Sequence, residues 1–175
     1  MHQSHPLREV IDLTDPARNI IFNPSVEEAR QRVAEGDPEG VRAIDGHFAL
    51  VARRGETVRM ARSLSVPMRY FIVKRVDGPA LVVAHRIDAI ERWLRHEGFA
   101  EQFHPTYTRM VPAHYLTEIA LVGCPDPNPK YVRYFTPQRE VLPPDRMEIG
   151  ARYIEAVADA IEKRLRRLPE REPIG

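Results

Sequence analysis

Cysteine occurs once, as Cys124, so the chain has no internal disulfide framework and fits a reducing cytoplasm. An excess of charge of either sign is missing too. The 26 Lys and Arg against 25 Asp and Glu leave +1, which gives no global pull toward nucleic acid or membrane. No stretch approaches the run of about 18 apolar residues that a membrane helix needs. Residues 1–8 are polar and lack the apolar centre of a signal peptide. Internal repeats and low-complexity tracts are absent as well. What is present is ordinary: 43% hydrophobic and 29% charged residues in a chain of 175, the make-up of one globular domain with at most an appended helix or tail. A chain of this length buries roughly two-thirds of its unfolded surface, enough for a core without staples. The expectation is a soluble, cytoplasmic protein with no nucleic-acid or membrane partner.

The 16 prolines punctuate the chain and divide it into three. Residues 1–17, with Pro6 and Pro16, read as an irregular N-terminal arm, residues 18–140 as the main domain, and residues 141–175 as a helix and linker. Residues 19–22 form a short strand candidate. Ser25 and Glu28 have the spacing of a capping box, each side chain satisfying an orphan amide of a helix that Gly36 ends. Asp37 and Pro38 open a shorter helix as cap and first residue. The period then changes to two. Strands are predicted over residues 47–53, 57–62, 68–76 and 80–85, with turns at Gly55-Glu56 and Asp77-Gly78. Asp88 is expected to cap a helix through Arg95, with Ile90, Trp93 and Leu94 inward and Gly98 as the stop. Residues 107–111, 115–122 and 131–135 complete the strands, and the prolines of residues 123–129 force a loop. Pro143, Pro144 and Asp145 launch the longest helix, whose apolar stripe is Ile149, Tyr153, Ile154, Val157, Ile161 and Leu165.

Few residues invite chemistry. Cys124 stands in a proline-rich loop with no C-x-x-C partner, which fits a bystander thiol better than a nucleophile or ligand. His85, His96, His104 and His114 fall on separate elements without H-x-x-x-H spacing, so a metal site would need their convergence in space. Asp45 stands in an Asp-Gly pair, as a poised acid or as a turn residue. The basic run from Lys163 to Arg167 follows Glu155, Asp159 and Glu162, so it reads as a solvated helix end before a phosphate site.

An ordered set of segments resembles the end of the glutaminase domain of the asparagine synthetase family. In that family L-D-G-x-F-A opens a strand, and a hairpin bears A-R-D and then P-L-Y-Y. A strand and short helix follow, P-P-G-H-x-L precedes another strand, and Y-x-P closes the domain. Here Asp45, Gly46 and Phe48 match the first segment, Ala61 and Arg62 the second, and Tyr70 and Phe71 its partner. Ala84, His85 and Arg86 with the helix after them match the third. Pro112, His114 and Tyr115 are similar to the fourth, and Tyr134, Phe135 and Pro137 to the exit, so the likeness covers about residues 40–137. These positions are read as structural or interface residues of the motif. The resemblance implies an α+β fold: a shortened αββα sandwich of mostly antiparallel sheets, N-terminal-nucleophile hydrolase-like, plus a long C-terminal helix. It also makes residues 141–175 the lead toward a synthetase domain or partner.

The departures shape the expected function. The family's class II glutamine amidotransferase activity uses the thiol of an N-terminal cysteine with its own α-amino group as base. This chain begins Met1, His2, Gln3, Ser4. Ser63 stands where the aspartate of A-R-D is expected, and Asn23, in the context F-N-P-S, is the lone counterpart for the asparagine that holds glutamine. No catalytic residue and no substrate-binding residue is therefore assigned. β-Lactam synthetases and lasso-peptide cyclases resemble this pattern, keeping a thiol-less domain beside a half that adenylates a carboxylate and then admits an amine. The expectation is a non-catalytic glutaminase-like domain that supports such a synthetase, with ATP and Mg held by that half and no cofactor or metal in this chain. The alternative is a free-standing binding or regulatory protein on the same fold. A hydrolase processed to Ser4 is a third reading. Self-association is compatible with all three.

Overall fold

The computed structural model describes residues 9–120, 128–139 and 141–166. The chain divides into two compact units, Met1–Thr136 and Pro137–Gly175, close to the boundary expected at residue 140. The first unit is mixed α+β. It runs β1 (Glu9–Asp12), β2 (Ile20–Asn23), α1 (Val26–Glu35), α2 (Pro38–Arg42), β3 (Asp45–His47), β4 (Ala49–Arg54), β5 (Thr57–Arg62), β6 (Arg69–Val73) and β7 (Ala80–Ala84). Then follow α3 (Ile87–His96), two 3-10 turns (Ala100–Gln102 and Pro105–Tyr107), β8 (Arg109–Met110), β9 (Tyr115–Ala120) and β10 (Lys130–Arg133).

Local chemistry accounts for most of these elements. Ser25 Oγ accepts the amide of Glu28 at 3.1 Å, and Gly36 ends α1 with φ 74°. The carboxylate of Glu28, expected to complete the capping box, pairs with Arg32 at 2.6 Å. Asp37 accepts the amides of Glu39 and Gly40 at 3.1 and 3.0 Å, so α2 starts as predicted. Asp88 does not cap α3. The helix begins at Ile87 with Arg86 as its N-cap, and the Asp88 carboxylate accepts the Arg86 guanidinium at 2.8 Å. An ion pair with the arginine two residues upstream thus takes the group that would otherwise have met the helix amides.

The arm also needs correcting. Residues 9–12 form β1, which pairs parallel with β7, matching Glu9 to Ala80 and Asp12 to Val83. A short strand whose partner lies far along the chain leaves little periodicity to read. β8 is shorter than expected because Pro105–Tyr107 is a 3-10 turn. The strand expected over residues 115–122 is present as Tyr115–Ala120, and residues 121–127, with Cys124 and the proline loop, lie outside the described residues.

Two four-stranded sheets result, ordered β1-β7-β6-β8 and β10-β9-β5-β4, with β2 and β3 as a separate pair. Their apolar residues sort into three clusters. Val51, Val58, Met60, Met68, Leu81 and Ile119 fill the space between the sheets. Leu50, Ala61 and Leu116 pack with Ala29, Val33 and Val41 of α1 and α2. Phe71, Val73, Val82 and Ala84 pack with Ile90 and Leu94 of α3. All five residues of β7 are buried, as its continuous apolar run requires when both faces are covered.

The second unit carries α4 (Arg146–Leu165). Asp145, where the helix is expected to start, caps it by accepting the amide of Met147 at 2.8 Å and that of Glu148 at 3.3 Å. Its apolar stripe stays open: Tyr153 is 71% exposed, Ile154 68% and Ile161 54%. None of the helix's described residues is buried.

Candidate functional site

Arg62 ends β5 where the chain leaves one sheet for the other. It is 7% exposed, and among the described residues its guanidinium donates to uncharged atoms. Nε donates to Val111 O at 2.6 Å. Nη1 reaches the carbonyls of Ser63, Leu64 and Val66 at 3.1, 3.2 and 3.4 Å, and Nη2 reaches Met110 Sδ at 3.5 Å. Residues 63–66 form the crossing from β5 to β6, and Val111 opens the return crossing from β8 to β9. One guanidinium therefore holds both crossings between the sheets. Desolvation lowers its pKa, yet the planar fork of five donors suits scattered carbonyl acceptors and keeps the charge satisfied.

The other motif residues gather around it. The Tyr134 hydroxyl donates to Arg62 O at 2.6 Å, and Tyr134 N donates to His114 O at 3.0 Å. His114 sits at φ 67°, and its ring meets Phe135 edge-on at 4.8 Å. Pro112 lies between the Val111 contact and this turn, fixing its backbone. Ala61, fully buried, pairs with Leu50 across β4. Tyr115 pairs with Arg133, whose guanidinium lies 5.4 Å from the Tyr115 ring centre.

Phe48 reaches the cluster through Ser63, just after the break between β3 and β4, while Asp45 and Gly46 lie in the β2–β3 pair. Asp45 opens β3 opposite Asn23. Gly46 has φ 145°, and a Cβ there would meet Ile20 O at 2.3 Å, so only glycine fits. Phe48, buried, exchanges bonds with Ser63: its amide donates to Ser63 Oγ at 3.0 Å, and Ser63 N donates to Phe48 O at 2.8 Å. The residue standing where A-R-D has its acid is therefore a ladder-closing serine. Tyr70 and Phe71 lie on opposite faces of β6, Tyr70 between the sheets and Phe71 under α3, beside Phe103 at 6.3 Å. Burial pushes the Tyr70 hydroxyl well above the ordinary phenol value.

Two features were illegible in the sequence. His47 Nδ1 contacts Ser65 Oγ, and Ser65 Oγ lies 3.4 Å from Ser63 Oγ. Among the described residues no hydrogen bond orients the imidazole from its other nitrogen, as a nucleophile's base would require. The contact between Tyr134 and Arg62 spans 72 residues and follows no spacing rule. The histidines do not converge. Buried His85 has Nδ1 2.9 Å from Pro67 O, His96 ends α3, and His104 caps the 3-10 turn at Pro105. Among the described residues no three His, Cys, Asp or Glu side chains come together. Most of the cluster's donors face backbone carbonyls, an arrangement that holds the two sheets in register.

Tyr134 makes that hold sensitive to alkali. Burial raises its phenol from 10.0 to about 12. The folded chain thus keeps a proton that the unfolded chain has released, and stability falls as pH climbs through this window. Denaturation series from pH 8 to 12 should show a loss of order 2 kcal/mol from this group. Tyr134→Phe should be less stable at pH 8 by about 1 kcal/mol, for the lost hydroxyl bond. Its alkaline decline should be shallower than wild type; an equal slope would remove Tyr134 from the effect.

Compared with known proteins, the chain matches no family model and no curated sequence.

Proposed function

We propose that this chain is a non-catalytic glutaminase-like domain that supports an asparagine-synthetase-like, ATP-dependent amide-forming partner. The observation that carries the reading is that three motif-like segments, far apart in sequence, meet the Ala61-Arg62 segment at Arg62 and its neighbour Ser63. The stacking of α1 and α2, two sheets and α3 supports a shortened αββα arrangement of the N-terminal-nucleophile type. In this reading the sandwich persists because a synthetase half that adenylates a carboxylate rests against the chain and needs an apolar surface covered. ATP and Mg belong to that half. The exposed stripe of α4 supplies a face of the right kind, since an apolar stripe on a helix is stable in water only when something covers it.

Co-expression with a synthetase half carrying the pyrophosphate-binding loop tests this. Wild-type chain should co-purify with that half in equimolar amounts. Ile154→Glu with Ile161→Glu should reduce recovery at least tenfold, through two charges placed in a desolvated interface. The urea midpoint of the Met1–Thr136 unit should stay unchanged. Undiminished recovery would remove α4 from the interface.

The second reading, a free-standing binding or regulatory protein, is favoured by one observation. A cleft of about 750 Å³ lies along β6, within the size range of small-molecule sites.

A further inference from the structure

We propose that the open edge of β6 binds a flat aromatic primary carboxamide. Along β6 the even-numbered residues turn their backbone groups to the side away from β7. Met68 O accepts Val111 N at 3.0 Å, Tyr70 pairs with Arg109, and Lys74 faces Gln102 on that same side. Ile72 lies between them. A longer β8 would meet it with Tyr107, but the chain has already turned. Tyr107 N donates to His104 O at 3.0 Å, and Thr108 N to Pro105 O at 3.1 Å. Among the described residues, the amide and carbonyl of Ile72 are therefore left facing the cleft with no strand against them.

Gln102 shows what such an edge accepts. Its Oε1 takes the Lys74 amide at 2.8 Å, while its Nε2 donates to the Lys74 carbonyl at 2.8 Å. One primary carboxamide satisfies both backbone groups of one edge residue. The next residue of the same parity, Ile72, offers the same donor and acceptor, with no partner strand among the described residues. A carboxylate could take the amide but would set its charge against the Ile72 carbonyl, so the edge distinguishes amide from acid. The walls give the body of the ligand. Phe71, Ile72 and Tyr107 line the cleft with the stems of Lys74 and Gln102, and Tyr107, whose ring centre lies 5.7 Å from that of His104, is still 70% exposed and able to lie against a ring. The lining carries charges of both signs, Glu101 against Lys74 and Arg109, so preference for an amide over an acid rests on the paired donor and acceptor of Ile72.

Benzamide and benzoate are the probes, titrated into the full chain and followed by backbone amide resonances. Benzamide should shift the Ile72 amide saturably, with benzoate at least tenfold weaker. Gln102→Ala, which frees the Lys74 edge, should extend the benzamide response to the Lys74 amide. Tyr107→Ala should weaken binding at least threefold. Three results would each overturn the proposal. One is no saturable shift at Ile72. Another is benzoate binding as well as benzamide, which would mark a simple anion site. The last is an Ile72 shift on concentrating the protein alone, which would show a second copy's strand filling the edge. None of these outcomes touches partner binding through α4, so this site and the scaffold role stand or fall separately.

Discussion

Arg62→Met should destabilise the first unit by about 3 kcal/mol or more, because several buried carbonyls lose one shared donor. Methionine matches the length of the arginine stem but donates nothing. The carbonyls of Val111, Ser63, Leu64 and Val66 then lose their shared donor. Each buried acceptor left unmet costs about 1–3 kcal/mol, eased where water can enter. Because those carbonyls belong to both crossings between the sheets, the loss acts on sheet-to-sheet packing as well as on one strand end. Arg62→Lys keeps the charge but replaces a planar fork with a point ammonium, so it should recover roughly half the deficit. Urea midpoints of the three proteins give the comparison. A methionine variant within about 1 kcal/mol of wild type would show that the guanidinium is a bystander.

Leu116→Asp should leave no folded sandwich. Leu116 is fully buried on β9, in the cluster that joins the sheet to α1 and α2, opposite Val132. Removing the leucine side chain alone costs about 2–5 kcal/mol. A carboxylate in that site adds the desolvation of an unpaired charge. Together these reach the total stability of an ordinary domain, about 5–15 kcal/mol. Far-ultraviolet dichroism and the proton spectrum should show the collapse directly. A partner that depends on the sandwich should become insoluble or inactive with this variant, and a partner that keeps full activity would refute the scaffold role.

Legibility in the sequence follows from how local each determinant is. Ser25, Gly36, Asp37 and Asp145 act within a few residues of themselves, and the helix ends they signal are where the spacing places them. The buried run of β7 and the β6–β7 hairpin follow from hydrophobic pattern and an Asp-Gly turn, in which Gly78 alone takes positive φ. β1 escapes because its partner is some seventy residues away and parallel, so nothing nearby marks it. Asp88 misleads because a carboxylate in a first turn can serve the helix or a neighbouring arginine, and composition does not say which. The roles of Arg62 and Gln102 were hidden for a deeper reason. Their partners are backbone groups, which every residue carries, so only three-dimensional placement reveals them.

The measurement that bears most directly on the account is pyrophosphate release and amide formation by a synthetase half, assayed alone and with this chain. The account predicts full activity with wild-type chain, little with Leu116→Asp or with the doubly substituted α4, and no glutamate formed from glutamine by the chain itself. A synthetase half equally active alone, or glutamine hydrolysis by the isolated chain, would contradict it.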